Sequence, residues 1–265
     1  MTPVREFDPV YGPVTSWRFG RSLGIDPIGP ISTCPFNCVY CQLGNIQRQT
    51  TQRQVFVSTD LIQRSLKRID PATVDVVTLS GSGEPTLALN LADIIAYAKA
   101  QLDRPVVVLT SSALLGNESV RSALQLADRV AVKLDALSDQ MLQGVNRPTA
   151  ELNWASIVVG IKDFSASYRG ELALQTVLLS PWSIGKRDRY IRLIQDIMPD
   201  EVQLNTPSRP RVRVRQLAAR GNHNLNLAPS HLQSLRHVST EALQSFAAEI
   251  EHCLGIPTRY PVLSG

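Results

Sequence analysis

Cysteine is scarce in this 265-residue chain: there are four, and three of them crowd into the run Cys34-Pro35-Phe36-Asn37-Cys38-Val39-Tyr40-Cys41. Cysteines so placed cannot staple a small domain, which excludes a disulfide framework of the secreted kind. Histidine is equally sparse. His223, His231, His237 and His252 all lie far downstream, whereas structural zinc sites of the Cys3His type take ligands that are close in sequence. No apolar run approaches the roughly 20 residues needed to span a bilayer, and residues 1–10 lack the apolar core of a secretion signal. The expected location is the cytoplasm, where thiols stay reduced. Repeats, low-complexity tracts and obvious linkers are missing too.

What the chain does have is a three-thiolate site. Intervals of three and then two residues let Cys34, Cys38 and Cys41 converge on one centre from a single loop, and thiolates select zinc, copper(I) or iron–sulfur clusters. The remaining cysteine, Cys253, is remote, so no local fourth ligand exists. An open coordination position distinguishes metal sites that do chemistry from closed structural ones.

Hydrophobic residues make up 43% of the chain, enough to fill one large α/β domain or two small ones. Runs rich in Val, Leu and Thr predict buried strands over 74–79, 106–110, 130–134, 172–179 and 202–205. Segments of helical period lie between them, over 61–69, 91–102, 119–127, 139–144, 153–164 and 187–198, with caps at Ser58/Thr59/Asp60 and at Asn117. A short strand over 29–32 brings the count to six β/α repeats. Such alternation implies a parallel sheet covered by helices, either doubly wound or curved into a barrel, and periodicity leaves both open. In either case ligands gather at the carboxyl ends of the strands. The expected organisation is a core over 1–220, with a lead-in over 1–28, and a C-terminal extension over 221–265 carrying one amphipathic helix over 240–254.

The net charge of +4 is unevenly spread, with nine basic residues against four acids between Lys186 and Arg220. In an extended segment Arg209, Arg211, Arg213 and Arg215 would share one face and could grip phosphates, although a charged edge strand is the commoner meaning of such a row.

Several predicted strands end in polar groups. The 74–79 strand runs into Ser80-Gly81-Ser82-Gly83-Glu84-Pro85-Thr86, where alternate glycines permit close approaches that side chains would block. Others end at Thr110-Ser111-Ser112, Lys133-Leu134-Asp135-Ala136 and Asn205-Thr206-Pro207. Lys133 and Asp135 stand one strand period apart and are expected to pair across the mouth of the fold. Arg18, Arg21 and Asp26 are candidates to line the approach to the cysteine loop.

The Cys-x3-Cys-x2-Cys spacing, with Tyr40 before its last cysteine, resembles the radical S-adenosylmethionine (SAM) superfamily. The resemblance implies a partial (β/α)6 TIM-like barrel in which Cys34, Cys38 and Cys41 hold three irons of a [4Fe–4S] cluster and SAM chelates the fourth. An electron from a donor such as flavodoxin or ferredoxin would then cleave SAM to a 5′-deoxyadenosyl radical that abstracts hydrogen from substrate. By the same resemblance the SAM contacts are Ser80, Gly81, Ser82, Gly83 and Glu84 of a Gly-Gly-Glu-like segment, Ser111, Lys133, Asp135 and Asn205, with Tyr40 bordering the adenine. Ser80 and Ser82 depart from glycine in the strict form of that segment.

Tyr11-Gly12-Pro13-Val14, the run Gly20-Arg21-Ser22-Leu23-Gly24-Ile25-Asp26-Pro27, Gln42-Leu43-Gly44, Asn146-Arg147-Pro148 and Gln203-Leu204-Asn205-Thr206-Pro207 resemble, more narrowly, the wyosine-synthase-related group. Its 4-demethylwyosine synthase builds a base in phenylalanine tRNA from pyruvate, using a second cluster on upstream cysteines and a Schiff-base lysine. Here no cysteine precedes Cys34 and no lysine precedes Lys67. The leading expectation is therefore a single-cluster radical SAM enzyme whose substrate the motifs do not define. A tRNA-modifying enzyme using the arginine row is the second reading, and a non-catalytic metal or nucleic-acid binding module is the third. Simple electron transfer would be better served by four protein ligands.

Overall fold

The valine- and leucine-rich runs become parallel strands. In the computed structural model, which describes residues 7–213, 220 and 228–262, β1 (Val10–Ser16) and β2 (Gly20–Ile25) form a hairpin, and the short strands β3 (Thr33–Cys34) and β4 (Arg48–Gln49) bracket the cysteine loop. Alternation follows through α1 (Thr59–Leu66), β5 (Val76–Leu79), α2 (Leu91–Leu102), β6 (Val106–Thr110), α3 (Glu118–Leu124), β7 (Arg129–Lys133), α4 (Asp139–Val145), α5 (Trp154–Ser167), β8 (Glu171–Val177), α6 (Ile184–Ile197) and β9 (Glu201–Asn205). The chain closes with β10 (Arg211–Val212), β11 (Leu232–Gln233), α7 (Thr240–Leu254) and β12 (Thr258–Arg259).

The main sheet has the order β1-β2-β5-β6-β7-β8-β9-β12. Only the β1–β2 pairing is antiparallel; from β2 to β12 every pairing is parallel. The sheet curls into a half-barrel, as the resemblance implied. Helices start where short polar side chains satisfy free N–H groups: Ser58, Asn117, Ser138, Asn153 and Ser239 each accept a bond from the first turn of their helix.

The first barrel strand is β2, not the 29–32 segment that the sequence suggests. Gly20 and Gly24 weaken the strand pattern, but Gly24 has a steric reason: a Cβ there would lie 2.1 Å from the Tyr11 ring that crosses it. Residues 29–32 are irregular instead, entered from a segment in which the buried Asp26 carboxylate accepts from the Ile28 and Gly29 N–H groups at 3.0 and 3.1 Å.

Strand periodicity separates two faces. Val130, Val132, Leu172 and Leu174 point toward the helices and belong to the apolar core. The opposite face is polar, because register aligns Lys133 with Gln175 and Gln175 with Gln203. Gln175 donates to Gln203 at 2.7 Å and Gln203 to Glu201 at 2.5 Å, so this layer is bonded internally. The C-terminal helix completes the core outside the sheet: Phe246 packs against Trp182 and Tyr190, with ring centroids 6.0 and 5.8 Å away.

The arginine row does not present a single face. Arg211 is buried and donates to Asn45 Oδ1 at 2.6 Å, Arg209 is half-buried, and the exposed Arg213 donates to the Leu232 carbonyl at 3.2 Å. A strand as short as β10 cannot impose the expected alternation. Arg215 lies outside the described residues. Among the described helices none is long and apolar enough to cross a membrane.

Candidate active site

The cysteine loop leaves β3 at the end of the half-barrel where β5, β6, β7 and β9 deliver Ser80, Ser111, Asp135 and Asn205. Two loops are stitched together there through their backbones. Thr33 N donates to the Ser82 carbonyl at 3.1 Å, and Glu84 N donates to the Thr33 carbonyl at 3.0 Å. This explains Gly83, where a Cβ would fall 1.7 Å from the Thr33 oxygen. Gly81 is also constrained, with φ +143° and the Asp26 carboxyl carbon 2.5 Å from where a Cβ would stand.

Cys38 is buried and Cys34 and Cys41 are half-buried, and none of the three is in a disulfide. Burial pushes the Cys34 thiol well above its ordinary value, and the Glu84 carboxylate and the Cys38 and Cys41 sulfurs reinforce the shift. Burial raises Cys38 as well, with the Lys133 ammonium pulling the other way. Cys34 Sγ accepts from Phe36 N and Cys38 Sγ from Asn146 Nδ2, both at 3.4 Å. Among the described residues no three His, Cys, Asp or Glu side chains are set to hold a single metal ion. The donor set suits a multinuclear cluster, to which each thiolate contributes one bond.

Asp135 anchors the next shell. Its Oδ1 accepts from Val177 N at 2.8 Å, and its Oδ2 accepts from Asn146 Nδ2 at 2.7 Å and from the Tyr40 hydroxyl. The expected Lys133–Asp135 ion pair does not form, because those partners occupy the carboxylate. The Lys133 ammonium stands 5.4 Å from the centre of the Tyr40 ring instead. Burial pulls its pKa down, but Cys38, Asp135, Cys34 and Cys41 pull it up further, so the pKa is raised.

The Glu84 carboxylate faces inward and accepts from the neighbouring strand end. Its Oε1 accepts from Thr86 N, Thr86 Oγ1 and Thr110 Oγ1 at 3.1, 2.7 and 2.7 Å, and its Oε2 from Ser111 N at 2.6 Å. Ser80 Oγ is bonded to the Tyr11 hydroxyl at 2.9 Å, and Ser82 is fully buried. Ser111 differs: its Oγ is buried without a hydrogen-bond partner among the described residues, a state that native proteins avoid unless something else satisfies the group. Asn205 is half-buried at the end of β9, with its Oδ1 accepting from Thr206 N at 2.8 Å.

The cysteine trio, the glycine loop, Ser111, Lys133, Asp135 and Asn205 therefore share one end of the half-barrel. Asp26 joins them, bonded to Arg220 at 2.9 Å. Arg18 and Arg21 do not. They flank the β1–β2 turn at the other end, where Arg21 is paired with Asp75 at 2.7 Å and the Arg18 carbonyl is held by Arg259. Sequence reasoning gave no individual role to Thr33 or Asn146. The glycine at 83 was the signal available for Thr33; no periodicity links Asn146 to Cys38.

The sequence pattern of the radical SAM superfamily matches residues 28–194. The chain belongs to the radical SAM superfamily. Enzymes of this superfamily use a [4Fe–4S] cluster and SAM and take their electron from a reductant such as flavodoxin or ferredoxin, and this radical SAM protein is an enzyme of that class. It is 48% identical to a UPF0026 protein of Synechocystis, with 96% of both chains covered. It is 32% identical to a UPF0026 protein of Methanocaldococcus jannaschii, covering 76% of this chain and 64% of that one. Its fold is similar to that of a radical SAM methyltransferase from Sphaerobacter thermophilus, with a TM-score of 0.55 at 15% identity, over 92% of this chain and 67% of the other.

Proposed function

We propose that this radical SAM enzyme carries one cluster on Cys34, Cys38 and Cys41 and turns over a substrate bound in the polar half-barrel beside it. The observation that carries the reading is the backbone junction of Thr33 with Ser82 and Glu84, which fixes the cysteine loop against the glycine loop. When bound, the cluster and SAM supply a 5′-deoxyadenosyl radical that abstracts hydrogen. The protein's own residues hold and orient. Three thiols would leave one coordination position for SAM, and the glycine loop lies beside it, fixed against Thr33 and Asp26. Ser111 Oγ supplies an unspent hydrogen-bonding group, and Asn205 stands at the end of β9 at the same end of the half-barrel. Lys133 offers an ammonium to a carboxylate of SAM or of substrate. The inner face beside Lys133 is polar rather than apolar, carrying Gln175 and Gln203, which suits a polar substrate.

Within the superfamily, the wyosine-synthase-like grouping rests on sequence motifs alone. A tRNA-directed version draws no support from Arg211, which is buried against Asn45, so the single-cluster enzyme without a nucleic-acid requirement is the reading we adopt.

Anaerobic reconstitution is expected to give a brown protein with about four irons per chain, and addition of SAM and a strong reductant should yield 5′-deoxyadenosine. Replacing any one of Cys34, Cys38 and Cys41 by alanine should abolish that product. A colourless wild-type protein binding stoichiometric zinc, or a reduced cluster that never cleaves SAM, would overturn the proposal.

A further inference from the structure

We infer that Asn146 is a positioning residue that sets the reduction potential of the cluster by keeping an N–H on the Cys38 sulfur. The inference rests on the ligand assignment above and names a residue that the assignment does not require.

The end of α4 runs alongside the cysteine loop. Val39 N donates to the Val145 carbonyl at 2.9 Å, Asn37 N to the Asn146 carbonyl at 3.0 Å, and Thr149 N to the Pro35 carbonyl at 2.9 Å. From the other side, Gln49 Nε2 donates to the Arg147 and Pro35 carbonyls at 2.8 and 3.3 Å. None of these bonds uses the Asn146 side chain, which is therefore held in place while its amide remains free to act. That amide is 1% exposed. Its Nδ2 donates to Cys38 Sγ at 3.4 Å and to Asp135 Oδ2 at 2.7 Å. The orientation follows from the partner it serves, since a sulfur bonded to iron carries no hydrogen and can only accept. It leaves Oδ1 buried with no partner among the described residues, which is unfavourable. An apolar side chain would avoid that cost, so the donor has a use. Asp135 in turn is fixed by Val177 N and the Tyr40 hydroxyl, which keeps the Asn146 amide from rotating away.

Reduction makes a cluster more negative, so an N–H on a ligand sulfur stabilises the reduced state more than the oxidised one. Removing it should make reduction harder. The test is a redox titration of the reconstituted protein followed by electron paramagnetic resonance, on the wild type, Asn146→Ala, Asn146→Leu and Gln49→Ala. Leucine keeps the volume without the donor, and Gln49→Ala loosens the same clasp without touching a sulfur. Both Asn146 variants should keep their iron and titrate at more negative potential. The expected shift is a threefold to tenfold change in the reduction equilibrium, tenfold being about 59 mV for one electron. Gln49→Ala should titrate with the wild type. Unchanged potentials in both Asn146 variants would overturn the inference, as would loss of iron from both while folded, which would make Asn146 merely a brace. A wild-type chain that fails to assemble a four-iron cluster would instead sink the ligand assignment.

Discussion

Ser111 and Tyr11 show how single side chains divide between holding the fold and awaiting a ligand. Ser111 Oγ has no partner among the described residues, so Ser111→Ala should leave the melting temperature of the apoprotein unchanged or slightly raised. The same change should weaken SAM binding by about 0.5–1.5 kcal/mol, a few-fold to roughly tenfold in Kd by calorimetry. An apoprotein destabilised as much as SAM binding would show that the hydroxyl serves the fold. Tyr11 is the converse case, packed over Gly24 and bonded to Ser80. Burial, opposed by the Ser80 bond, pushes its pKa up from 10.0 to about 12. The unfolded chain then loses this proton before the folded one does. The contribution is complete below about pH 10 and is lost as the pH rises toward about 12. Melting temperatures of wild type and Tyr11→Phe across that window should differ in slope, the variant falling less steeply; parallel curves would contradict the assignment.

Among elements, the junction between the cysteine and glycine loops is the most exacting. Gly83→Ala would drive a methyl group into the Thr33 carbonyl, 1.7 Å away, and the backbone must part to admit it. The expected loss is about 3 kcal/mol or more of apoprotein stability, read by denaturant titration, together with poor iron retention. Near-normal values for both would mean that the junction is dispensable. This contact also marks where the sequence stopped being legible. The glycine-rich segment and the cysteine loop were each readable, because glycine and thiol chemistry are local properties. Their joining through Thr33 is a long-range backbone pairing that no periodicity announces. The helices were readable to within a few residues for the same local reason, and α2 occupies the predicted 91–102 span. β2 was missed because its two glycines, one required by a ring from the neighbouring strand, erase the strand signal.

On the scale of the whole molecule, the two edges of the sheet meet without pairing as strands. Arg259 on β12 reaches the hairpin at the far edge, its Nη1 donating to the Arg18 carbonyl at 3.2 Å and its Nη2 to the Trp17 carbonyl at 2.9 Å, with its guanidinium 5.7 Å from the Trp17 ring centre. A single planar fork thus fastens the floor of an open barrel. Arg259→Ala should cost about 1–3 kcal/mol, lowering the melting temperature by several degrees. Lysine should not restore it, since one ammonium cannot reproduce the fork or its stacking. Full rescue by lysine would reduce the contact to simple charge.

Thiolate chemistry, the α/β alternation and the polar strand ends follow from residue type and short-range spacing alone. How those ends are spent follows from the folded chain. It turned Glu84 inward, gave Asp135 to Tyr40 and Asn146 rather than to Lys133, buried Arg211 and sent Arg18 and Arg21 to the far end. These outcomes depend on which distant groups compete for the same acceptor or the same space, and that competition exists only once the sheet has curled.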